Sequence, residues 1–150
     1  MGLDLHLHTQ ASDGTLTPEE LVAKAAAKGL TGIAVTDHDT TDSLDRAAKA
    51  AAEHGLVFIP GVEISASYTQ HTAFHILGYG IDPENRELQA VLRHNLAAWD
   101  KNEEDSLLAL EKLGIKIDDE RYEYWKNHPE RGGWPLLNVM IEMGLVADTG

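Results

Sequence analysis

The sequence predicts an α/β fold over its first 83 residues and a helical segment over residues 84–150. Three observations carry that expectation. Short apolar runs with strand character recur near residues 3–8, 31–36, 57–64 and 74–79. Helix-like runs of about a dozen residues separate the first three of them, the pattern of βαβ units with right-handed crossovers. From Pro83 onward only a helical period remains.

The elements follow in order. Leu3, Leu5 and Leu7 alternate with Asp4, His6 and His8, so this stretch reads as a strand whose leucines face packing. Residues 17–29 read as a helix. Thr17 suits the N-cap, Pro18 the first helical position, Glu19 and Glu20 the positive end, and Gly29 the exit. Thr31–Thr36 is a short apolar strand, and residues 42–54 form an Ala-rich helix closed by Gly55. Val57–Pro60, Val62–Ile64 and Phe74–Tyr79 are strand-like. Residues 84–113 carry Leu88, Val91, Leu92, Leu96 and Trp99 at helical spacing up to Gly114, and shorter helices are expected near 118–127 and 134–145. This divides the chain into a partial β/α core, residues 1–83, and a helical insertion or layer of the same domain, residues 84–150. Three or four strands followed by helices leave the α/β architecture unfinished, so the chain is expected to be part of a longer protein or to be completed by another subunit.

Composition narrows the function classes. The 150 residues are 43% hydrophobic, enough for a real core. No apolar run approaches the ~18 residues of a membrane span, and the first residues lack the basic and apolar regions of a signal peptide. Cysteine is absent, which excludes thiolate metal sites and fits a cytoplasmic protein. The formal charge of −13 opposes non-specific binding to nucleic acid or to an anionic membrane. It does not oppose a nucleotide substrate, because bound divalent cations would cancel charge locally.

The chemistry concentrates at expected strand ends. In His6-Leu7-His8 the two imidazoles share a strand face and can reach one metal, although two exposed histidines would look the same. Asp13 follows in the turn sequence Ser12-Asp13-Gly14, itself also compatible with an ordinary Asx turn. Thr36-Asp37-His38-Asp39 follows the second strand, at the carboxyl end where α/β folds gather functional groups. His38 is the ligand candidate there. Asp37 and Asp39 are read as orienting groups or helix caps, with capping preferred for one of them. Glu63, in an otherwise apolar stretch at the end of the third strand, is costly to bury unless paired or ligated and is the candidate bridge between metals. His75 sits among apolar neighbours and qualifies only because the other groups converge. His54, His71, His94 and His128 lack such placement and are read as structural or surface residues. Six nitrogen and oxygen ligands are too many for one zinc ion and suit two or three divalent ions, with Zn, Mn and Fe all compatible. A hydroxide on such a cluster would hydrolyse phosphate esters.

These residues resemble the PHP (polymerase and histidinol phosphatase) family. The resemblance rests on Asp4-Leu5-His6-Leu7-His8-Thr9, Ser12-Asp13-Gly14, Pro18-Glu19-Glu20-Leu21-Val22, Gly29-Leu30, Ile33–Thr40 and Pro60–Ser65, in order over about residues 3–80. The form Thr36-Asp37-His38-Asp39-Thr40 is most similar to the stand-alone phosphoesterases that act on nucleotides and short oligonucleotides. The resemblance implies a distorted seven-stranded β/α (TIM-like) barrel with a trinuclear site. It implies that His6, His8 and Glu63 hold one metal, Glu63 and His75 a second, and Asp13 and His38 a third, the catalytic pair nearest the phosphate of a small phosphorylated substrate. Two features depart from the family. Its later His and C-terminal Asp-x-His fall outside these 150 residues, which predicts an incomplete ligand set and weak activity for this stretch alone. Its Gly-Arg-Pro-His segment is replaced by Gly133-Trp134-Pro135-Leu136; Arg131 nearby reads as a surface residue. A non-catalytic metal-binding module of a larger protein, and an amidohydrolase-like enzyme, stay open beside the phosphoesterase reading.

Overall fold

Thr17 opens the first helix as its sequence requires. In the computed structural model, which describes residues 2–69, 72–127 and 134–147, Thr17 and Glu20 form a reciprocal capping box. The Thr17 N–H donates to Glu20 Oε2 at 2.9 Å, and the Glu20 N–H donates to Thr17 Oγ1 at 3.2 Å. The elements run β1 (Leu3–Leu7), α1 (Pro18–Ala27), β2 (Gly32–Val35), α2 (Leu44–Glu53), β3 (Val57–Thr69), β4 (Thr72–Tyr79), α3 (Arg86–Lys112), α4 (Asp119–Lys126) and α5 (Pro135–Glu142). Among the described residues the fold is mixed α/β with a four-stranded sheet in the order β1-β2-β3-β4. No described helix is long and apolar enough to cross a membrane.

Strands β1, β2 and β3 are parallel, as the alternation of strands and helices predicts. The next step corrects the expectation of βαβ units throughout. Val57–Pro60 and Val62–Ile64 belong to one strand, and β4 returns antiparallel to it, with Gly61 opposite Tyr79 and Ser65 opposite His75. The change of partner falls at Pro60-Gly61. Pro60 pairs with Val35 and ends the β2–β3 ladder, because proline has no N–H to continue it. Gly61 makes the crossing possible: a Cβ there would lie 2.7 Å from Thr36 Cγ2, 3.0 Å from the Val35 carbonyl oxygen and 3.1 Å from that of Gly78. Glu63 therefore lies inside a long strand, not at its end.

The main core lies between the sheet and helices α1 and α2. Val22, Ile33, Val35, Ala47 and Ala51 are fully buried there, with Leu7, Phe58 and Ile81 packed around them. Leu7 packs as expected. Leu3 and Leu5 do not; both are exposed, because β1 is an outer strand of the described sheet. The helical half builds a second, smaller core from Ile117, Tyr122, Leu136 and Val139. Helix α3 buries Leu92 near its start and packs Leu107 and Leu110 into the second core.

Substitution of Gly61 by alanine is expected to destabilise the protein by roughly 1–3 kcal/mol through overpacking. Urea denaturation would show it as a lower midpoint at unchanged slope.

Candidate metal centre

Each side chain of the site is placed by a specific piece of backbone. On β1, His6 and His8 share a face, with ring centroids 5.0 Å apart. After β1 the chain folds back on itself, the Ser12 and Gly14 N–H groups donating to the Thr9 carbonyl at 3.1 and 2.9 Å. Gly14 has to be glycine in this turn, since a Cβ would lie 2.4 Å from the His8 carbonyl oxygen. The turn carries Asp13 over His8, Oδ1 to Nδ1 at 2.8 Å. Beyond β2, the Glu63 N–H donates to the Asp37 carbonyl at 3.1 Å and the Asp39 N–H donates to the Glu63 carbonyl at 2.9 Å. This parallel bridge holds His38 beside Glu63. His75 arrives from β4 through its pairing with Ser65.

The six side chains singled out in the sequence therefore meet at one place. Glu63, 5% exposed, is the centre. Its Oε2 accepts from His6 Nε2 at 2.6 Å and faces His8 Nε2 at 2.9 Å, and its Oε1 accepts from His75 Nδ1 at 2.8 Å. His38 stands 3.9 Å from Glu63 through Nδ1 and 3.5 Å from Asp13 through Nε2. Burial opposes a charge on His8, but the hydrogen bond and charge of Asp13, with the charges of Glu63 and Asp37, raise its pKa above the ordinary value. Hydrogen bonds from His38 and His8 hold the Asp13 carboxyl far below the usual carboxylate range. Burial would push the Glu63 carboxyl up, but the His6 hydrogen bond, the charge of His38 and the His75 hydrogen bond outweigh it and lower its pKa.

The donor set fits divalent ions. Among the described residues, three groups have ligand atoms mutually within 4.8 Å: His6, His8 and Glu63; His8, Asp13 and His38; and His38, Glu63 and His75. Compared with the sets implied by family resemblance, His8 joins the Asp13–His38 pair and His38 joins the Glu63–His75 pair. Among the described residues, His38 Nδ1 is buried without a hydrogen-bond partner, an orphaned lone pair or N–H of the sort that a ligand normally satisfies.

Asp37 and Asp39 are both fully buried, and neither caps a helix. This corrects the preference for capping. Asp37 accepts from the Thr9 N–H at 2.7 Å, the Thr9 hydroxyl at 2.8 Å, the Ser12 hydroxyl at 2.8 Å and the Ser43 hydroxyl. Ser43 occupies the N-cap position of α2, but its hydroxyl serves Asp37 and not the helix. Asp39 adopts a left-handed backbone, φ 51°, a conformation that aspartate tolerates better than most residues. Its carboxylate accepts from the Ser65 N–H at 3.0 Å, Asn95 Nδ2 at 2.7 Å and Trp99 Nε1 at 3.2 Å. Asn95 was missed from sequence. Its signal is a polar residue inside the apolar stripe of α3, four residues before Trp99. His54 lies at the exit of α2 and His94 is exposed on α3, both away from the cluster. His71, His128 and Arg131 lie outside the described residues.

Fold and cluster together define a mixed α/β domain whose sheet and adjoining turns bring together donors of the kind that bind divalent metals. The chain belongs to the PHP domain family, whose model matches residues 4–128. A 3',5'-nucleoside bisphosphate phosphatase of Chromobacterium violaceum is 41% identical over 147 residues, covering 97% of this chain and 51% of the relative. Two solved structures superpose on nearly the whole chain. One is an amidohydrolase of Chromobacterium violaceum with bound sulfate and no metal, at a TM-score of 0.85 and 36% identity, covering 99% of this chain and 52% of that one. The other is a protein of Bifidobacterium adolescentis assigned as a metal-dependent phosphoesterase, at 0.83 and 30% identity, covering 97% and 51%. The chain spans about half the length of these relatives.

Replacing Asp37 by alanine would strand a buried N–H and three hydroxyls. The expected cost is on the order of 3–5 kcal/mol, measurable by chemical denaturation, with Asp37→Asn losing less because it keeps an acceptor oxygen.

Proposed function

We propose that this chain carries most of the metal ligands of a phosphoesterase, and that the whole protein hydrolyses phosphate esters of small molecules, nucleotides or short oligonucleotides among them. One observation supports this above the others: His8, His38 and Glu63 each belong to two of the three donor groups. Shared donors suit two or three adjacent ions of Zn, Mn or Fe better than a single ion. In this reading His6, His8, Asp13, His38, Glu63 and His75 are the ligands and Glu63 is the bridge. Bound divalent ions supply an acidified water at neutral pH and positive charge for phosphoryl oxygens. Asp13, His38 and His75 line the adjoining cavity, so the substrate phosphate is assigned to their side of the cluster, with Asp13 and His38 as the catalytic pair. The four strands are assigned to a seven-stranded barrel that the rest of the protein completes, and residues 84–150 to a helical insertion in it. The names of the relatives, a nucleoside bisphosphate phosphatase and a metal-dependent phosphoesterase, support the same reaction class.

The full-length protein, loaded with Mn²⁺ or Zn²⁺, is expected to turn over p-nitrophenyl phosphate and AMP. His8→Ala and His38→Ala should each lower kcat/KM by more than about 100-fold, the upper range for outer-shell substitutions, and EDTA should abolish turnover. Tight metal uptake with no hydrolysis of any phosphate ester would instead make the domain a metal-binding module. Hydrolysis of amides alone would make it an amidohydrolase.

A further inference from the structure

We infer that Trp99 and Trp134 form a stacking platform for the nucleobase of the substrate, beside the donor cluster; this rests on the phosphoesterase reading above. A cavity of about 950 Å³ runs from Asp13, His38 and His75 along the two indoles to Leu110, Leu136 and Met140 between the helices. Its size is at the upper end of small-ligand sites. Trp134 stands 4.9 Å from Trp99 between ring centroids, tilted by 36°, and 6.2 Å from His38. A planar group laid against Trp134 is therefore about one sugar's span from the cluster.

The platform is held in place before any ligand arrives. The Trp99 indole N–H donates to Asp39 Oδ2 at 3.2 Å and lies 3.4 Å from Ser65 Oγ. Trp134 opens α5, whose first turn is fixed by the Leu136 N–H donating to Glu103 Oε1 at 2.8 Å. Trp134 is half-buried and belongs to neither hydrophobic core; its ring neighbours are Trp99 and His38. A large aromatic face left on a cavity wall, outside the packing, is surface available to a ligand.

Charge selects the kind of ligand. Beyond the donor cluster, the charged residues on the cavity wall among the described residues are Asp100, Glu103 and Lys126. Among these, two acids against one base disfavour further phosphates along that wall. An uncharged planar base meets no such opposition, and stacking on an indole is tolerant of which base it is. The geometry thus points to nucleotides with one base in the cavity, chosen for having a base more than for its identity.

The test compares AMP with ribose 5-phosphate, the same ester without the base, on the full-length metal-loaded protein. The preference for AMP, taken as the ratio of the two kcat/KM values, should fall roughly tenfold or more in Trp134→Leu, the size expected from losing one stacked base. Trp134→Phe, which keeps an aromatic face, should retain most of it. An unchanged ratio in Trp134→Leu overturns the platform. A second readout needs neither metal nor turnover: adenosine should bind the metal-free protein in isothermal titration calorimetry, and Trp134→Leu should weaken that binding by a similar factor while Trp134→Phe keeps most of it. Binding lost in Trp134→Leu supports the platform even if no phosphate ester is hydrolysed, a result that would sink only the reaction. Normal hydrolysis with no adenosine binding sinks the platform and leaves the reaction standing.

Discussion

Three carboxylates are buried at one end of the sheet, Asp37 and Asp39 completely and Glu63 at 5% exposure, and the rest of the site follows from how each is satisfied. An isolated buried carboxylate is too costly to keep charged. Asp37 is satisfied by one N–H and three hydroxyls, drawn from the turn after β1 and from the start of α2. Asp39 is satisfied by an N–H of β3 and by Asn95 and Trp99 of α3. These two use neutral donors that cannot leave, so they fix the turn after β1, the start of α2, β3 and α3 against one another. Glu63 differs. Its neighbours are imidazoles, whose protons exchange with solvent and with cations.

That difference gives the cluster its chemical character. His8 places Nδ1 on Asp13 and Nε2 on Glu63. The negative charge on both sides of the ring raises the His8 pKa against the opposing effect of burial. The metal binding proposed above would use donors already brought together, so little further chain ordering is required of the residues described.

The sequence analysis reaches the cluster and the parallel strands because both follow local rules. A two-residue period puts His6 and His8 on one face, Thr17 and Glu20 write their own capping box, and His38 comes directly after a buried strand. It misses what depends on distant partners. The single strand β3 looks like two because Pro60 and Gly61 normally break strands, and only contact with Thr36, Val35 and Gly78 shows them to be a crossing point. His75 reaches Glu63 through an antiparallel return and not through the shared parallel direction that the sequence suggests. Asp37 and Asp39 resemble helix caps locally; their donors lie up to 60 residues away in sequence.

Helix α3 has a role that its apolar stripe alone does not disclose. At 27 residues it is about 40 Å long, enough to reach from the Asp39 segment to the second core. Near its start, Gln89 donates to Thr41 at 2.9 Å and Leu92 is buried; one turn on, Asn95 and Trp99 grip Asp39. One turn further, Glu103 accepts from the Tyr122 hydroxyl at 3.0 Å and from the first turn of α5. Burial, with the Glu103 hydrogen bond, pushes the Tyr122 phenol well above its ordinary pKa, so it remains a donor throughout the physiological range. Asp39 and Glu103 are thus anchored to the same short stretch of one helix. Asp39 is part of the segment that presents His38, and Glu103 fixes the turn that presents Trp134. A shift of α3 along its axis would disturb both sets of contacts together, so hydrogen bonds tie the helical half to the segment that carries His38.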